Sequence, residues 1–143
     1  MSSLSFPDMN VWLALATPEH VHADLARRWW AEEAGVIAFS RLTQLGLLRL
    51  MTTAAVMDDK PLTMGEAWRV YDRFYDDDRV VCMSEPPTVE ERFREKAAGR
   101  IVSPKVWADA WLLAFAQEAD GMLVTFDKAL GPRGARCLLA KRG

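Results

Sequence analysis

The sequence is poor in the residues that cross-link small secreted proteins and bind transition metals. Its 143 residues include two cysteines, Cys82 and Cys137, and two histidines, His20 and His22. A CxxC pair or a Cys/His ligand pattern is absent, which excludes a disulfide framework and a zinc finger. Both cysteines stand in apolar runs, so we expect reduced thiols in the core. The histidines are two residues apart, unlike an HExxH pair, and are expected at the surface or at a partner contact.

Long hydrophobic runs and an excess of positive charge are also missing. No apolar run approaches the roughly 18 residues of a membrane-spanning helix, and the first residues do not resemble a secretory signal. We therefore expect a cytoplasmic protein with no membrane partner. Lys and Arg number 18 against 20 Asp and Glu, a net charge of −2. Binding of nucleic acid by charge alone is therefore excluded, and such a role requires a local device such as a divalent cation.

What is present is typical of one folded domain. Half of the residues are apolar and 27% are charged, and a chain of this length buries enough surface to fold without cross-links. We predict a single domain over residues 1–143. Short apolar strands alternate with helical segments, which favours an α/β fold with a parallel sheet between helices. Strands are predicted at 3–7, 36–39, 79–83, 122–126 and 135–140.

Helix-start signals separate these strands. Thr17-Pro18 predicts a helix that ends at Gly35, and Ser40 caps the next helix. Thr63-x-x-Glu66 and Thr88-x-x-Glu91 are typical of capping boxes. Further helices are predicted at 9–16 and, after Ser103-Pro104, up to Gly121.

Two aspartates directly follow predicted strands. Asp8 ends the first strand, and Asp127 ends the strand at 122–126. Ligands bind beyond the carboxyl ends of parallel strands, although each aspartate alone is also typical of a cap or turn. Asp109 lies in the second turn of an apolar helix, where a buried charge requires a metal or a partner. Lys105, one turn earlier, is an alternative partner, and exposure to solvent is another.

Three converging carboxylates repel one another unless a cation lies between them. Mg²⁺ or Mn²⁺ takes oxygen ligands and retains several waters. Such an ion supplies a nucleophilic water and neutralises charge on a phosphate oxygen. An acidic site in an acidic protein is thus compatible with a polyanionic substrate.

Four segments together resemble the PIN-domain family, and within it the VapC-type toxins of bacterial toxin–antitoxin pairs. They are FPDMNVW at 6–12, SRLTQLGLLRL at 40–50, WADAWL at 107–112 and LVTFD at 123–127. Each motif is short, but the four occur in the family's order over nearly the whole chain.

The resemblance implies a three-layer α/β/α fold around a mainly parallel sheet of about five strands. It implies an Mg²⁺- or Mn²⁺-dependent endoribonuclease that cuts single-stranded or loop RNA through metal-activated water, leaving a 5′-phosphate and a 3′-hydroxyl. It also implies a homodimer and a small VapB-type antitoxin whose tail covers the acidic groove.

By position in these motifs, Asp8 and Asp109 are the expected principal metal ligands. Asp127 is expected to complete the site, directly or through water. Asn10 is expected to orient Asp8, with a helix cap as the alternative, and Thr125 is a further supporting residue.

Gln44 stands where many family members carry a glutamate, which predicts weaker metal binding and leaves a second metal site open. Arg41 and Arg49 flank it and are interpreted as phosphate contacts or as solvated charges. Five tryptophans are interpreted as core or dimer surface rather than base-stacking platforms: Trp29, Trp30, Trp68, Trp107 and Trp111.

Two other functions remain open from the sequence. A PIN-like module that binds RNA or a protein with weak or no cleavage is favoured by Gln44. A phosphatase with Asp8 as covalent nucleophile is the third interpretation, although haloacid-dehalogenase-like enzymes usually carry a second aspartate where Asn10 stands.

Overall fold

A parallel five-stranded sheet forms the centre of the protein in the computed structural model, which describes residues 3–100 and 102–139. The strands stand in the order β3-β2-β1-β4-β5, and every neighbouring pair is parallel. Their bounds are β1 (Leu4–Pro7), β2 (Val36–Phe39), β3 (Val80–Cys82), β4 (Met122–Thr125) and β5 (Arg136–Cys137). The predicted parallel sheet is therefore confirmed, with a last strand shorter than expected; Ala140 lies outside the described residues.

Helices cover both faces of the sheet. They are α1 (Met9–Ala16), α2 (Ala23–Glu32), α3 (Arg41–Met51), α4 (Met64–Phe74), α5 (Val89–Lys96) and α6 (Val106–Glu118), with a 3₁₀ helix at Lys128–Arg133. One apolar cluster joins α1–α4 to one face of the sheet, and a second joins α5 and α6 to the other. The expected three-layer α/β/α architecture is confirmed. In the described part of the chain, no helix has the length and hydropathy needed to span a membrane.

Successive strand residues serve opposite clusters because side chains alternate across a sheet. In β2, Ile37 and Phe39 face the α1–α4 layer and Ala38 faces the other layer. Trp12 of α1 is fully buried and stacks on Phe39 with ring centroids 3.7 Å apart. This contact fixes α1 against the sheet directly after Asp8.

The capping predictions were correct at two helices and wrong at a third. Ser40 caps α3 and Thr63 caps α4, each in a reciprocal capping box. Thr88 precedes α5 but makes no side-chain cap, since its ψ of 3° departs from the extended geometry that capping requires.

The predicted start of the second helix was also wrong. Residues 17–22 form turns, and α2 begins at Ala23 with His22 as the preceding residue. Gly35 is not the residue that ends α2, because Glu33 is already its C-cap. A Cβ at Gly35 would lie 2.1 Å from the Ser3 carbonyl oxygen, so close chain approach requires glycine here.

Helix α6 differs from expectation at both ends. It begins at Val106 rather than after Ser103-Pro104, which places Asp109 in its first turn instead of its second. The left-handed residue after α6 is Asp120 (φ 55°). Gly121 instead allows a close approach, since a Cβ there would lie 2.6 Å from the Phe6 ring.

The cysteines are not core residues. Cys82 is exposed and Cys137 is partly buried, and both are free thiols. They end β3 and β5, and the ends of short strands leave the core even within apolar runs.

Candidate active site

Asp8 is held between a strand and a helix. Its backbone N–H donates to the Val124 carbonyl (2.9 Å), which ties the end of β1 to β4. One carboxylate oxygen accepts from the Asn10 N–H (3.0 Å) and caps α1. The other accepts from the Thr125 hydroxyl (2.8 Å). Asp8 is thus both a helix cap and a member of a polar site, two roles that the sequence presented as alternatives.

Asp127 is positioned in a similar way after β4. Its carboxylate accepts from the Ala129 N–H (2.9 Å) and caps the 3₁₀ helix. Its own N–H donates to the Thr125 hydroxyl oxygen (3.0 Å). Thr125 is fully buried, so one hydroxyl links the segment of Asp127 to the carboxylate of Asp8.

Asp109 approaches from α6 on the opposite layer. Its half-buried position raises the pKa of the carboxyl, and the charges of Asp8 and Asp127 raise that pKa further, while Arg133 lowers it. Asp8, Asp109 and Asp127 therefore act on one another and are called the acidic cluster below. Lys105 makes no ion pair with Asp109 in the described residues.

Burial also raises the pKa of Asp8. Hydrogen bonds from Asn10 and Thr125 oppose this rise, and the charge of Asp127 adds to it. Desolvation and neighbouring like charges both disfavour a carboxylate anion. The acidic cluster is therefore electrostatically unsatisfied in the protein alone, which is the condition that a bound cation relieves.

The cluster offers the donors that a hard cation prefers, but not a closed cage. Within residues 3–100 and 102–139, no three His, Cys, Asp or Glu side chains are arranged to hold one ion. Mg²⁺ typically binds through one or two carboxylates and keeps several waters. The carboxylate donors of the cluster fit that mode.

The side chain of Gln44 makes its polar contacts on α3 and α4. It is buried, its amide oxygen accepts from the Arg41 guanidinium (2.5 Å), and it interacts with the Tyr71 hydroxyl. Gly46 is the α3 residue that meets the start of α1, since a Cβ there would lie 2.0 Å from the Met9 sulfur. The polar partners of Gln44 are thus Arg41 within α3 and Tyr71 of α4, and among the described residues no hydrogen bond joins Gln44 to the acidic cluster.

The remaining site residues vary in position. Asn10 is exposed and reaches Asp8 through its backbone N–H rather than its side chain. Arg49 is exposed in the last turn of α3. Arg41 borders a groove of about 500 Å³ at the ends of β2 and β3 that also includes Trp111.

Arg133 was missed by the sequence analysis. Its guanidinium donates to the Lys96 carbonyl (2.9 Å), and its charge reaches Asp109. It is the last residue of a 3₁₀ helix that no local pattern predicted, so only the folded chain relates it to the acidic cluster.

The tryptophans divide between core and surface. Trp29 is buried and contacts Trp30 edge to face. Trp68 and Trp107 are exposed, whereas Trp111 is partly buried and donates its indole N–H to Glu85 (3.1 Å).

Comparison with known proteins identifies the family. The model of the PIN domain matches residues 5–131. Ribonuclease VapC41 of Mycobacterium tuberculosis, from strains CDC 1551 and H37Rv, is 44% identical over 133 residues, covering 89% of this chain and 91% of that protein.

Solved structures support the same fold at lower identity. The crystal structure of Mycobacterium tuberculosis VapC20, a toxin that cleaves the sarcin-ricin loop, matches with a TM-score of 0.64 and 17% identity over 92% of this chain and 95% of that one. PAE2754 of Pyrobaculum aerophilum matches with a TM-score of 0.58 and 20% identity over 95% of this chain and 84% of that one. Together with the family model and the VapC41 likeness, these matches show that the chain belongs to the PIN-domain family and, within it, to the VapC-type toxin ribonucleases.

Proposed function

We propose that this chain cleaves RNA endonucleolytically at the acidic cluster, with Asp8 and Asp109 as the principal ligands of a divalent cation. Asp127 completes the site directly or through water. The observation that carries this assignment is the mutual electrostatic effect of the three carboxylates: the charges of the other two raise the pKa of Asp109. Such unrelieved repulsion is typical of functional sites.

The chain's own residues hold this site in place. Thr125 donates to Asp8 and accepts from the Asp127 N–H, so β1 and β4 present their aspartates in a fixed relation. Asn10 supplies the backbone N–H that orients the second oxygen of Asp8. Asp109, on the opposite layer, closes the site from the side of α6.

When bound, a divalent cation supplies a water of lowered pKa and charge neutralisation at the phosphate. Asp8 and Asp109 would hold that ion, and a carboxylate of the cluster would accept the proton of the attacking water. In-line attack of the water oxygen on the phosphorus would break the P–O3′ bond, leaving a 5′-phosphate and a 3′-oxyanion that takes its proton from solvent to give the 3′-hydroxyl. Mg²⁺ or Mn²⁺ is the proposed ion, because all the donors are oxygens.

Arg41 is the proposed phosphate contact. It borders the groove at the ends of β2 and β3, and Gln44 holds its guanidinium in place. Arg49 is exposed in the last turn of α3 and is proposed as a weaker contact to the RNA backbone farther along the same helix.

The family also suggests partners. A VapB-type antitoxin whose tail covers the acidic groove, and a homodimer of this chain, are proposed. Large apolar side chains remain exposed on the surface, among them Leu45 and Trp107. Exposed apolar area of this kind is available for such contacts.

The test is cleavage of a mixed tRNA and rRNA pool by the purified chain. Wild-type protein with Mn²⁺ is expected to give discrete fragments, and EDTA is expected to abolish them. Asp8→Asn and Asp109→Asn are each expected to reduce the rate at least about a hundredfold, because the ion contributes several kcal/mol to the transition state.

Asp120→Asn is the matched control. Asp120 is exposed and has a left-handed backbone, which asparagine tolerates, and it lies outside the acidic cluster. It should cleave like wild type. Full metal-dependent cleavage by both site variants would refute the assignment.

A second function is favoured by one observation. No three-ligand set is assembled among the described residues, and Gln44 contributes no charge. A module that binds RNA or a protein without cutting it would give no fragments with either metal while remaining folded, and would still bind RNA.

A further inference from the structure

Three aromatic rings lie together around Phe126, the residue that precedes Asp127 in the chain. Phe126 stands between Thr125 and Asp127, and its ring centroid lies 4.7 Å from that of His22. The His20 ring lies 6.0 Å from Phe126 at an interplanar angle of 23°. All three side chains are only partly buried. We call His20, His22 and Phe126 the aromatic cluster.

The turn at residues 17–22 fixes the two imidazoles. The His20 N–H donates to the Thr17 carbonyl (3.0 Å). The His22 N–H donates to Nδ1 of His20 (3.0 Å), which sets the orientation of that ring. The helix expected here would not direct both histidines to Phe126, because residues two apart point in different directions on a helix.

A cavity adjoins the aromatic cluster. Its volume is about 370 Å³, and His20 forms part of its wall together with Leu13, Glu19, Met57 and Lys60. Small-ligand sites typically measure roughly 300–1,000 Å³ and combine apolar walls with a few polar groups. The cavity therefore has the size and chemistry for a flat polar ring.

The His20 ring is suited to stacking rather than to pairing with phosphate. Burial lowers its pKa, and the neighbouring His22 lowers that pKa further. Both effects disfavour the charged form of the ring, and an uncharged imidazole offers a π-face for stacking. Phe126 likewise offers a face without charge.

An acidic ribonuclease needs a source of RNA affinity other than charge. The chain carries a net charge of −2, and its proposed site is itself anionic before a metal binds. Bases of single-stranded RNA stack on aromatic side chains with little dependence on salt bridges. The partly exposed rings of the aromatic cluster, one of which directly precedes Asp127 in the chain, are suited to supply that affinity.

We propose that the aromatic cluster binds one nucleobase of single-stranded RNA, belonging to a nucleotide next to the scissile phosphate. This inference rests on the proposed ribonuclease function, because Asp127 defines the position of that phosphate. Phe126 is the main platform, and the two imidazoles extend it toward the cavity. The cluster thus positions the RNA strand relative to the acidic cluster.

The test distinguishes binding of the RNA bases from binding of the sugar-phosphate backbone. Two 5′-fluorescein probes are used: octaadenylate, and a ribose-phosphate octamer without bases. Affinities are measured by fluorescence anisotropy with Mg²⁺ in an Asp109→Asn background, which does not cleave under the proposed function. This background is expected to bind octaadenylate about tenfold tighter than the baseless probe.

Two variants remove rings from the cluster. Phe126→Leu keeps an apolar side chain, and His20→Asn keeps an acceptor for the His22 N–H. Each is expected to weaken octaadenylate binding about fivefold or more and to leave the baseless probe unchanged. Trp68→Leu, an exposed aromatic on α4, is the control and should bind both probes as the background does.

Equal affinity of the background for both probes would overturn the proposal. An equal loss for both probes in the two variants would do the same, since the rings would then serve only the fold. If Phe126→Leu does not melt cooperatively, His20→Asn decides. Failure of the proposed function is distinguishable, because it appears as absent cleavage by the wild type, which the binding experiment does not measure.

Discussion

The two ends of strand β1 handle charge in opposite ways. At the edge of the sheet where β1 begins lie Glu33, Asp77 and Arg79, here called the paired network, in which Arg79 pairs with Asp77 and hydrogen bonds satisfy Glu33. At the carboxyl end of β1 lies the acidic cluster, where like charges meet. Both sites belong to the same sheet, so the difference between them lies in the charged side chains at each end.

Arg79 is the centre of the paired network. It donates two hydrogen bonds to Asp77 (2.9 and 2.7 Å) and others to the carbonyls of Trp30 and Glu33. Its guanidinium also lies 4.7 Å from the Trp30 ring centroid. These contacts join α2 to the segment before β3 and lower the pKa of Asp77.

Glu33 shows how hydrogen bonds outweigh burial. Burial alone would raise the pKa of its carboxyl, but hydrogen bonds from Ser3, the Gly35 N–H and Ser5 lower it overall. Asp8 also accepts two hydrogen bonds, yet its pKa is raised, because burial and Asp127 prevail. Hydrogen bonds thus lower the pKa of Glu33, a carboxyl of the paired network, whereas burial and a like charge raise the pKa of Asp8, a proposed metal ligand.

Removing the Arg79 side chain should weaken the paired network. Arg79→Ala is expected to lower the free energy of unfolding by about 2–3 kcal/mol, because hydrogen bonds to charged groups each contribute about 1.5–3 kcal/mol. Cleavage per folded molecule should not change. Urea unfolding measures the first quantity.

Arg94→Ala is the matched control for this loss. Its side chain is 78% exposed and pairs with an equally exposed Glu90. Exposed pairs contribute at most about 1 kcal/mol. A loss for Arg79→Ala no larger than for Arg94→Ala would show that the paired network does not stabilise the fold.

Removing the hydroxyl of Thr125 should disturb the positions of Asp8 and Asp127 in the acidic cluster. Thr125→Val keeps the shape of the side chain but removes the donor to Asp8 and the acceptor for the Asp127 N–H. Loss of such a supporting contact typically costs 10–100-fold in metal affinity or activity. Cleavage rates over a Mn²⁺ titration measure this effect.

Thr125→Ser is the control for that variant, since it retains the hydroxyl. It should remain close to wild type in its metal requirement. If Thr125→Val and Thr125→Ser behave alike, the hydroxyl does not position the acidic cluster.

The pH dependence of folding stability should reveal the repulsion among the carboxylates of the acidic cluster. The folded pKa of Asp109 is raised above its ordinary value of 3.8. Its ionisation therefore costs folding free energy, and that cost grows as pH rises from below 3.8 through the raised pKa. Without metal, the melting temperature of Asp109→Asn relative to wild type should increase between pH 4 and pH 7.

Differential scanning calorimetry at the two pH values, in EDTA, provides this comparison. Asp120→Asn should show no such increase. A constant difference between Asp109→Asn and wild type across this pH range would mean that Asp109 is not destabilised by its neighbours.

The sequence predicted the sheet and two of its aspartates because both depend on local pattern. Apolar strands of four or five residues were recognisable, and parallel strands end at one edge, so Asp8 and Asp127 were expected together. The capping box at Thr63 was predicted from Thr63-x-x-Glu66 and the cap at Ser40 from its place before α3, because short polar residues before a helix favour that geometry.

Features of the structure that depend on tertiary contacts could not be predicted from the sequence. Thr17-Pro18 suits a helix start and a turn equally, and packing of His22 against Phe126 accompanies the turn. The cysteines stand beside apolar residues in the sequence but end their strands. The face on which Gln44 lies, and the approach of Arg133 to Asp109, require the folded chain.

The most direct test of the acidic cluster is calorimetric titration of the purified chain with Mn²⁺. Wild type and Asp120→Asn should bind the ion alike, whereas Asp8→Asn, Asp109→Asn and Asp127→Asn should each weaken binding at least about tenfold. Binding of Mn²⁺ by all three site variants with wild-type affinity would contradict the claim that these carboxylates share one metal.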